Sequence, residues 1–244
     1  MSDRAAGGGS ASDESDADAR AGFVVDGVSK RYGDVTALDG VDLAVRPGQV
    51  HGLVGPNGSG KTTLFHLLSG LARPSAGTVR RPDPGRVGVG FQQPRFYPDL
   101  TVRENLSVFR SFAADPPPAD WTATLLEALR LEPAAHRPGR DLSGGFRTKL
   151  DLALAMLKRP DFLLLDEPLS DVDDHSRARI VSFLGEYCTE DRSIVVSTHN
   201  VESFDDVLDR VTVLVDGEIE YDGPAQADAL DRYRDVLEAD PVER

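Results

Sequence analysis

Residues 55–62 read Gly-Pro-Asn-Gly-Ser-Gly-Lys-Thr, and what flanks them constrains the fold more than any other feature of the chain. An apolar run, Val50-His51-Gly52-Leu53-Val54, precedes them, and Leu64, Leu67, Leu68 and Leu71 follow at i, i+3, i+4, i+7, the spacing of one buried helix face. Strand, glycine-rich turn and helix in that order form a phosphate-binding loop. The glycines let the backbone bend until several N–H groups point at one anion, and the helix N-terminus adds a favourable dipole. Lys61 supplies a point charge for the β- and γ-phosphates, and Thr62 a hydroxyl for Mg²⁺. The pattern implies a bound nucleoside triphosphate.

The rest of the chain suits an α/β layered fold. At 244 residues it can bury a large core, either as one domain or as a core carrying a subdomain. Residues 1–21 are Gly, Ser, Ala and Asp with almost no large apolar side chain, and are expected to be a disordered acidic tail. Phe23 to Val45 reads as an antiparallel strand pair, with short strands expected at 77–79 and 87–91. Between about 94 and 157 the strand signal fades. Helical patterns at 100–112 and 121–131 flank the breaker Pro116-Pro117-Pro118, so a largely helical insertion is expected. Phe162 to Leu165 and Ile194 to Ser197 have the continuous apolar character of central parallel strands. Val211–Val215 and Glu218–Tyr221, joined by Asp216-Gly217, read as a hairpin, and residues 223–244 as a helical tail.

Composition excludes several classes. No window is apolar enough for a membrane span, no secretory leader is evident, and the single Cys188 allows no internal disulfide, so a cytoplasmic protein is expected. A net charge of −14 argues against nonspecific nucleic-acid binding. Four Lys against 23 Arg, and 29 Asp against 12 Glu, resemble the acidic, lysine-poor proteins of salt-loving microbes.

A second carboxylate-bearing segment narrows the class. Phe162-Leu163-Leu164-Leu165-Asp166-Glu167-Pro168 brings Asp166 to the end of a buried strand, where it can hold Mg²⁺, and places Glu167 at the strand exit, where it can orient or deprotonate a water. In order the chain then carries the phosphate loop, Gln92, Leu142-Ser143-Gly144-Gly145, Asp166-Glu167, Asp173 and His199. That series resembles the ATP-binding cassette (ABC) family over nearly everything from Phe23 to Tyr221, and more narrowly the short exporter-type ATPase subunits. The implied fold is a P-loop NTPase core with an antiparallel β subdomain and a helical insertion, spanning residues 22–222.

The resemblance implies roles position by position. Gly55, Pro56, Asn57, Gly58, Ser59, Gly60, Lys61, Thr62 and Thr63 would hold ATP, and Tyr32 would stack on its adenine. Thr62, Gln92 and Asp166 would reach Mg²⁺. Gln92, preferred over its neighbour Gln93, would also meet the water and relay the nucleotide state to the insertion. Glu167 and His199 would act with it in catalysis. Ser143, Gly144 and Gly145 would contact the γ-phosphate of ATP held by a second subunit, and Asp173 would lie in the loop that crosses between the two sites. Asp173 or Ser170 could equally cap a helix. The other histidines (His51, His66, His136, His175) match nothing. One position departs from the family: Phe146 stands where the signature usually continues with glutamine, and cannot hydrogen-bond the partner's nucleotide.

The implied partners are a second cassette, a homodimer being expected, and a separate integral-membrane permease docked around residues 92–112, which would place the protein on the inner face of the membrane. The stretch from Gln92 to Leu106 resembles that of drug, lipid or polysaccharide exporters. A soluble cassette of an assembly system, such as an iron–sulfur scaffold ATPase, is the alternative.

Overall fold

The structure, a computed structural model, describes residues 22–113 and 116–225. The expected N-terminal tail and most of the C-terminal one lie outside the described residues. Two sheets organise the rest. β1 (Phe23–Tyr32) pairs antiparallel with β2 (Val35–Val45) and with β4 (Ala76–Arg80), giving a three-stranded sheet in the order β2-β1-β4. The second sheet contains β3 (Val50–Val54), β5 (Val87–Gly90), β6 (Phe162–Asp166), β7 (Ser193–Thr198), β8 (Arg210–Val215) and β9 (Glu218–Pro224), in the order β5-β6-β7-β3-β8-β9. All neighbours in it are parallel except β8 and β9.

The apolar runs become central strands because both faces of this sheet are covered. Leu163 and Leu165 point into one core, shared with Val196, Val213 and the helices α2 (Val102–Ser111), α3 (Ala119–Ala128), α4 (Gly144–Met156) and α5 (Asp174–Tyr187). Phe162 and Leu164 alternate into the other core, with α1 (Lys61–Leu68) and the antiparallel sheet. Phe23 and Phe162 meet edge to face, with centroids 5.5 Å apart, and tie the small sheet to the large one.

Element ends differ from the expected ones for local reasons. α1 stops at Leu68, since Gly70 adopts a left-handed backbone (φ 78°) and Ala72 N–H turns back to the His66 carbonyl. Leu71, expected on the buried helix face, is therefore exposed (57%). α2 starts at Val102 because Thr101 and Glu104 form a reciprocal capping box. α3 begins at Ala119 and ends by Ala128, before Arg130, whose φ of 53° cannot continue a helix. β9 runs to Pro224, two residues past the domain end expected at 222. The Asp216-Gly217 turn has positive φ at both residues (46° and 85°), as a two-residue hairpin loop requires.

β3 also buries His51, whose ring is 1% exposed. Its Nε2 lies 2.7 Å from Thr212 Oγ1 on β8, and Thr212 Oγ1 donates to Asp222 Oδ1 on β9 at 2.9 Å. Arg210 grips the same Asp222 carboxylate through Nη2 at 2.6 Å and Nε at 2.9 Å.

Candidate nucleotide site

Parallel register brings the chemistry to one sheet edge. Ser197 lies beside Leu53 on one side and Asp166 on the other, and Gly90 beside Leu165, so β3, β5, β6 and β7 end together. The segments leaving those ends are the phosphate loop, the Gln92 segment, Asp166-Glu167 and Thr198-His199. A cavity of about 200 Å³ opens there, lined by Ala37, Asn57, Gly58, Gly60, Lys61, Thr62, Thr63, Gln92, Asp166, Glu167 and Ser197.

The loop holds its own lysine. Lys61 Nζ donates to the carbonyls of Gly55 (2.7 Å) and Pro56 (2.8 Å), so the ammonium is fixed at the helix start. Burial pulls its pKa below the ordinary lysine value, and Glu167 and Asp166 push back. Gly60 takes φ 104°, and a Cβ there would lie 2.5 Å from the Ala37 carbonyl oxygen. Gly58 (φ 86°) instead faces open space, which leaves the backbone free for close approach by an anion. The Ser59 hydroxyl is buried with no hydrogen-bond partner among the described residues.

Asp166 and Glu167 are consecutive, and in an extended strand they would point to opposite faces. Glu167 instead has a left-handed backbone (φ 49°), with its N–H bonded to Ser197 O at 2.8 Å, and both side chains line the cavity. Burial raises the Asp166 pKa, opposed by the Ser197 hydroxyl and by His66 and Lys61, while Glu167 adds to the rise. Glu167 is oriented from behind: its Oε1 accepts the His199 N–H at 3.0 Å and lies 2.8 Å from His199 Nδ1, and Thr198 Oγ1 donates to Oε2 at 3.3 Å.

Of the remaining predicted residues, one joins the cavity and the others lie outside its lining. Gln92 lines the cavity and Gln93 does not. Tyr32 is half exposed outside the cavity lining, with Lys30 Nζ 4.7 Å from its ring centroid. Ser143, Gly144 and Gly145 open α4 outside the cavity lining, with the two glycines packed on the loop at Asp171. Asp173 caps α5, its Oδ1 accepting Ser176 N–H at 2.9 Å, so of the two capping residues considered it is Asp173 that caps. Phe146 is partly buried against the core, and Lys149 Nζ sits 5.5 Å from its ring. His175 is solvent-exposed at the start of α5.

Two contributors escaped sequence reasoning. Ser197 is the small polar break in an apolar strand, and it lines the cavity beside Asp166. Asp151 is the lone charge in Leu150-Asp151-Leu152-Ala153-Leu154-Ala155 on α4; it is buried, and burial lifts its pKa to about 6. A carboxylate within an apolar helical run was the available signal.

Chemically, this is an anion cradle facing an all-oxygen set: the Thr62 hydroxyl, the Gln92 amide and two carboxylates. Hard oxygen donors of that kind fit Mg²⁺, which keeps some of its waters and binds few protein carboxylates. No helix among the described residues is long and apolar enough to cross a membrane.

Residues 38–170 match the family model described as ABC transporter. The Nod factor export ATP-binding protein I of Ralstonia nicotianae is 38% identical over 205 residues, covering 79% of this chain and 64% of that protein. The daunorubicin resistance ATP-binding protein DrrA3 of Streptomyces coeruleorubidus is 37% identical over 215 residues, covering 83% of this chain and 68% of that protein. The chain thus spans about two-thirds of the length of these relatives, slightly less for the first. Among solved structures, the dimeric structure of MJ0796, a bacterial ABC transporter cassette, superposes with a TM-score of 0.77 at 26% identity, over 84% of this chain and 99% of that one.

Proposed function

The chain belongs to the ABC transporter family, and from that premise we propose that it is an ATP-hydrolysing subunit that powers a separate membrane-spanning exporter. One observation carries the reading: the phosphate loop and the Asp166-Glu167 pair, more than a hundred residues apart in sequence, line a single cavity together with Gln92. The loop N–H groups and Lys61 bind the β- and γ-phosphates of ATP. Thr62, Gln92 and Asp166 hold Mg²⁺, which supplies charge neutralisation for the transferred phosphoryl group. Glu167 orients the attacking water and draws off its proton as the oxygen adds to phosphorus and the bond to ADP breaks. His199 holds Glu167 through its backbone N–H and ring Nδ1, fixing the direction of the carboxylate.

One chain holds only half of this machinery, since Ser143, Gly144 and Gly145 lie away from the cavity. In a head-to-tail pair each α4 N-terminus would face the partner's γ-phosphate, where exposed helix-start N–H groups suit an anion. ATP then closes the pair and hydrolysis opens it, which is the mechanical output. The dimer seen for MJ0796 and the export roles named for the relatives support this reading. The receiver is a permease docked on the groove beside the Gln92 segment, and the transported molecule is chosen by that partner.

The test compares wild type with Glu167→Gln in steady-state ATP hydrolysis and in gel filtration with Mg·ATP. The variant should lose at least about a hundredfold in turnover, within the range for removing a general base, and elute as a dimer. Turnover equal to wild type would remove Glu167 from the mechanism.

A further inference from the structure

We propose that Asp151 is a positioning residue that holds Gln92 in place from α4; the inference rests on the role given to Gln92 above. The segment leaving β5 is tied at two points flanking Gln92. Asp151 Oδ2 accepts Phe91 N–H at 2.7 Å, and Oδ1 accepts Arg95 N–H at 2.7 Å. Both carboxylate oxygens are spent on one loop, as a bidentate brace across it. Outside the brace, the Arg95 guanidinium lies 4.8 Å from the Phe91 ring centroid and closes the loop on itself.

The placement is costly for packing alone. Asp151 is 5% exposed, between Leu150 and Leu152, at a position where an apolar side chain would meet no desolvation penalty. Charge-assisted bonds to two backbone N–H groups offset that penalty, and they do so only while the loop keeps this course. Gly90 fits the same arrangement, because a Cβ there would reach 2.9 Å from Leu165 Cδ2 and 3.5 Å from Asp151 Oδ2.

Ser143, the N-cap of α4, lies about 12 Å along the helix from Asp151 at 1.5 Å per residue. Asp151 also lines a groove of about 450 Å³ with Phe91, Phe96, Tyr97, Phe109 and Leu154. One carboxylate therefore joins the outer groove, the helix capped by Ser143 and the Gln92 loop. A shift of α4 carries Gln92 with it.

The experiment uses wild type, Asp151→Asn, Gln92→Ala and the double variant. In Asp151→Asn an amide N–H₂ replaces one acceptor and opposes a backbone donor. Hydrogen exchange of the amides in 91–95 should then quicken about tenfold, while segments from β3 and α1 exchange as in wild type. ATP turnover should fall about tenfold with KM for ATP within about twofold, as expected for the loss of one buried hydrogen bond that binds no substrate. Asp151→Asn added to Gln92→Ala should change turnover by less than about twofold, because the brace acts through Gln92. Unchanged exchange, a rise in KM that accounts for the loss, or costs that multiply in the double variant would overturn the proposal. Should Asp151→Asn loosen the whole fold, Asp151→Ala, which lacks the opposing donor, takes its place in the series. A wild type without turnover would count against the proposed activity, and the exchange measurement would then decide for or against the brace by itself.

Discussion

Protonating His51 is expected to loosen the centre of the parallel sheet, and the proton inventory of its neighbours says why. Thr212 has one hydroxyl proton and gives it to Asp222, so the short contact to His51 Nε2 must be donated by the imidazole. The neutral ring thus carries its proton on Nε2, and Nδ1 is a buried acceptor with no partner among the described residues. A second proton would go to Nδ1 and make a buried N–H that no described residue accepts, with the Asp222 carboxylate, 3.8 Å from Nε2, offsetting only part of the charge. Burial, with Arg210 adding to it and Asp222 opposing, lowers the pKa from 6.5 to about 4. Because the folded-state value is the lower one, the stabilisation is complete above pH 6.5 and is lost as the pH falls toward 4. At about 1.4 kcal/mol per unit the full loss is about 3 kcal/mol, and about 2 kcal/mol is gone by pH 5. Asp151 works in the opposite direction: raised to about 6, it adds stability as the pH falls through that window. The wild-type slope therefore mixes the two, and His51→Gln separates them, since glutamine can donate to Thr212 and does not titrate. Urea unfolding of both proteins at pH 7.5 and 5.0 makes the measurement. The wild type should lose about 2 kcal/mol more than the variant on acidification. Identical pH dependence in the two would refute the reasoning.

Two further substitutions probe the site from other directions. Gly60→Ala combines φ 104° with a Cβ 2.5 Å from the Ala37 carbonyl, so the phosphate loop must shift; fluorescent-nucleotide titration should show at least about a tenfold loss of affinity, and wild-type affinity would contradict the close approach. Phe146→Gln restores a hydrogen-bonding group at the signature but removes a ring packed on the core and facing Lys149. Stability should fall by about 1 kcal/mol in urea unfolding with no drop in turnover, and a turnover loss would make the ring part of the catalytic cycle.

What could be read from sequence divides along the range of the forces involved. The strand, glycine turn and helix around Lys61 were legible because each depends on neighbours a few residues away. The apolar runs at 162–165 and 194–197 were legible as central strands because burial on both faces leaves no alternation. Leu71 was misread because a periodic pattern carries no information about Gly70, whose backbone ends the helix. Asp151 was passed over because its partners lie 56 and 60 residues earlier in the chain and are backbone groups, which leave no mark in a sequence. Ser143 and Asp173 could be named from the resemblance, but their separation from the Lys61 cavity is a matter of tertiary placement.

The left-handed backbone of Glu167 has a consequence for how this chain tolerates change. A glutamate at φ 49° is held there against a preference of about 1 kcal/mol, which glycine would not incur and asparagine would incur less. Folding and chemistry therefore favour different residues at that one position. Under selection for robustness alone, drift would run toward the residue that relaxes the turn and deletes the carboxylate proposed as the base. A library of this protein enriched for thermal endurance should accumulate members that bind nucleotide, keep their shape and do no work.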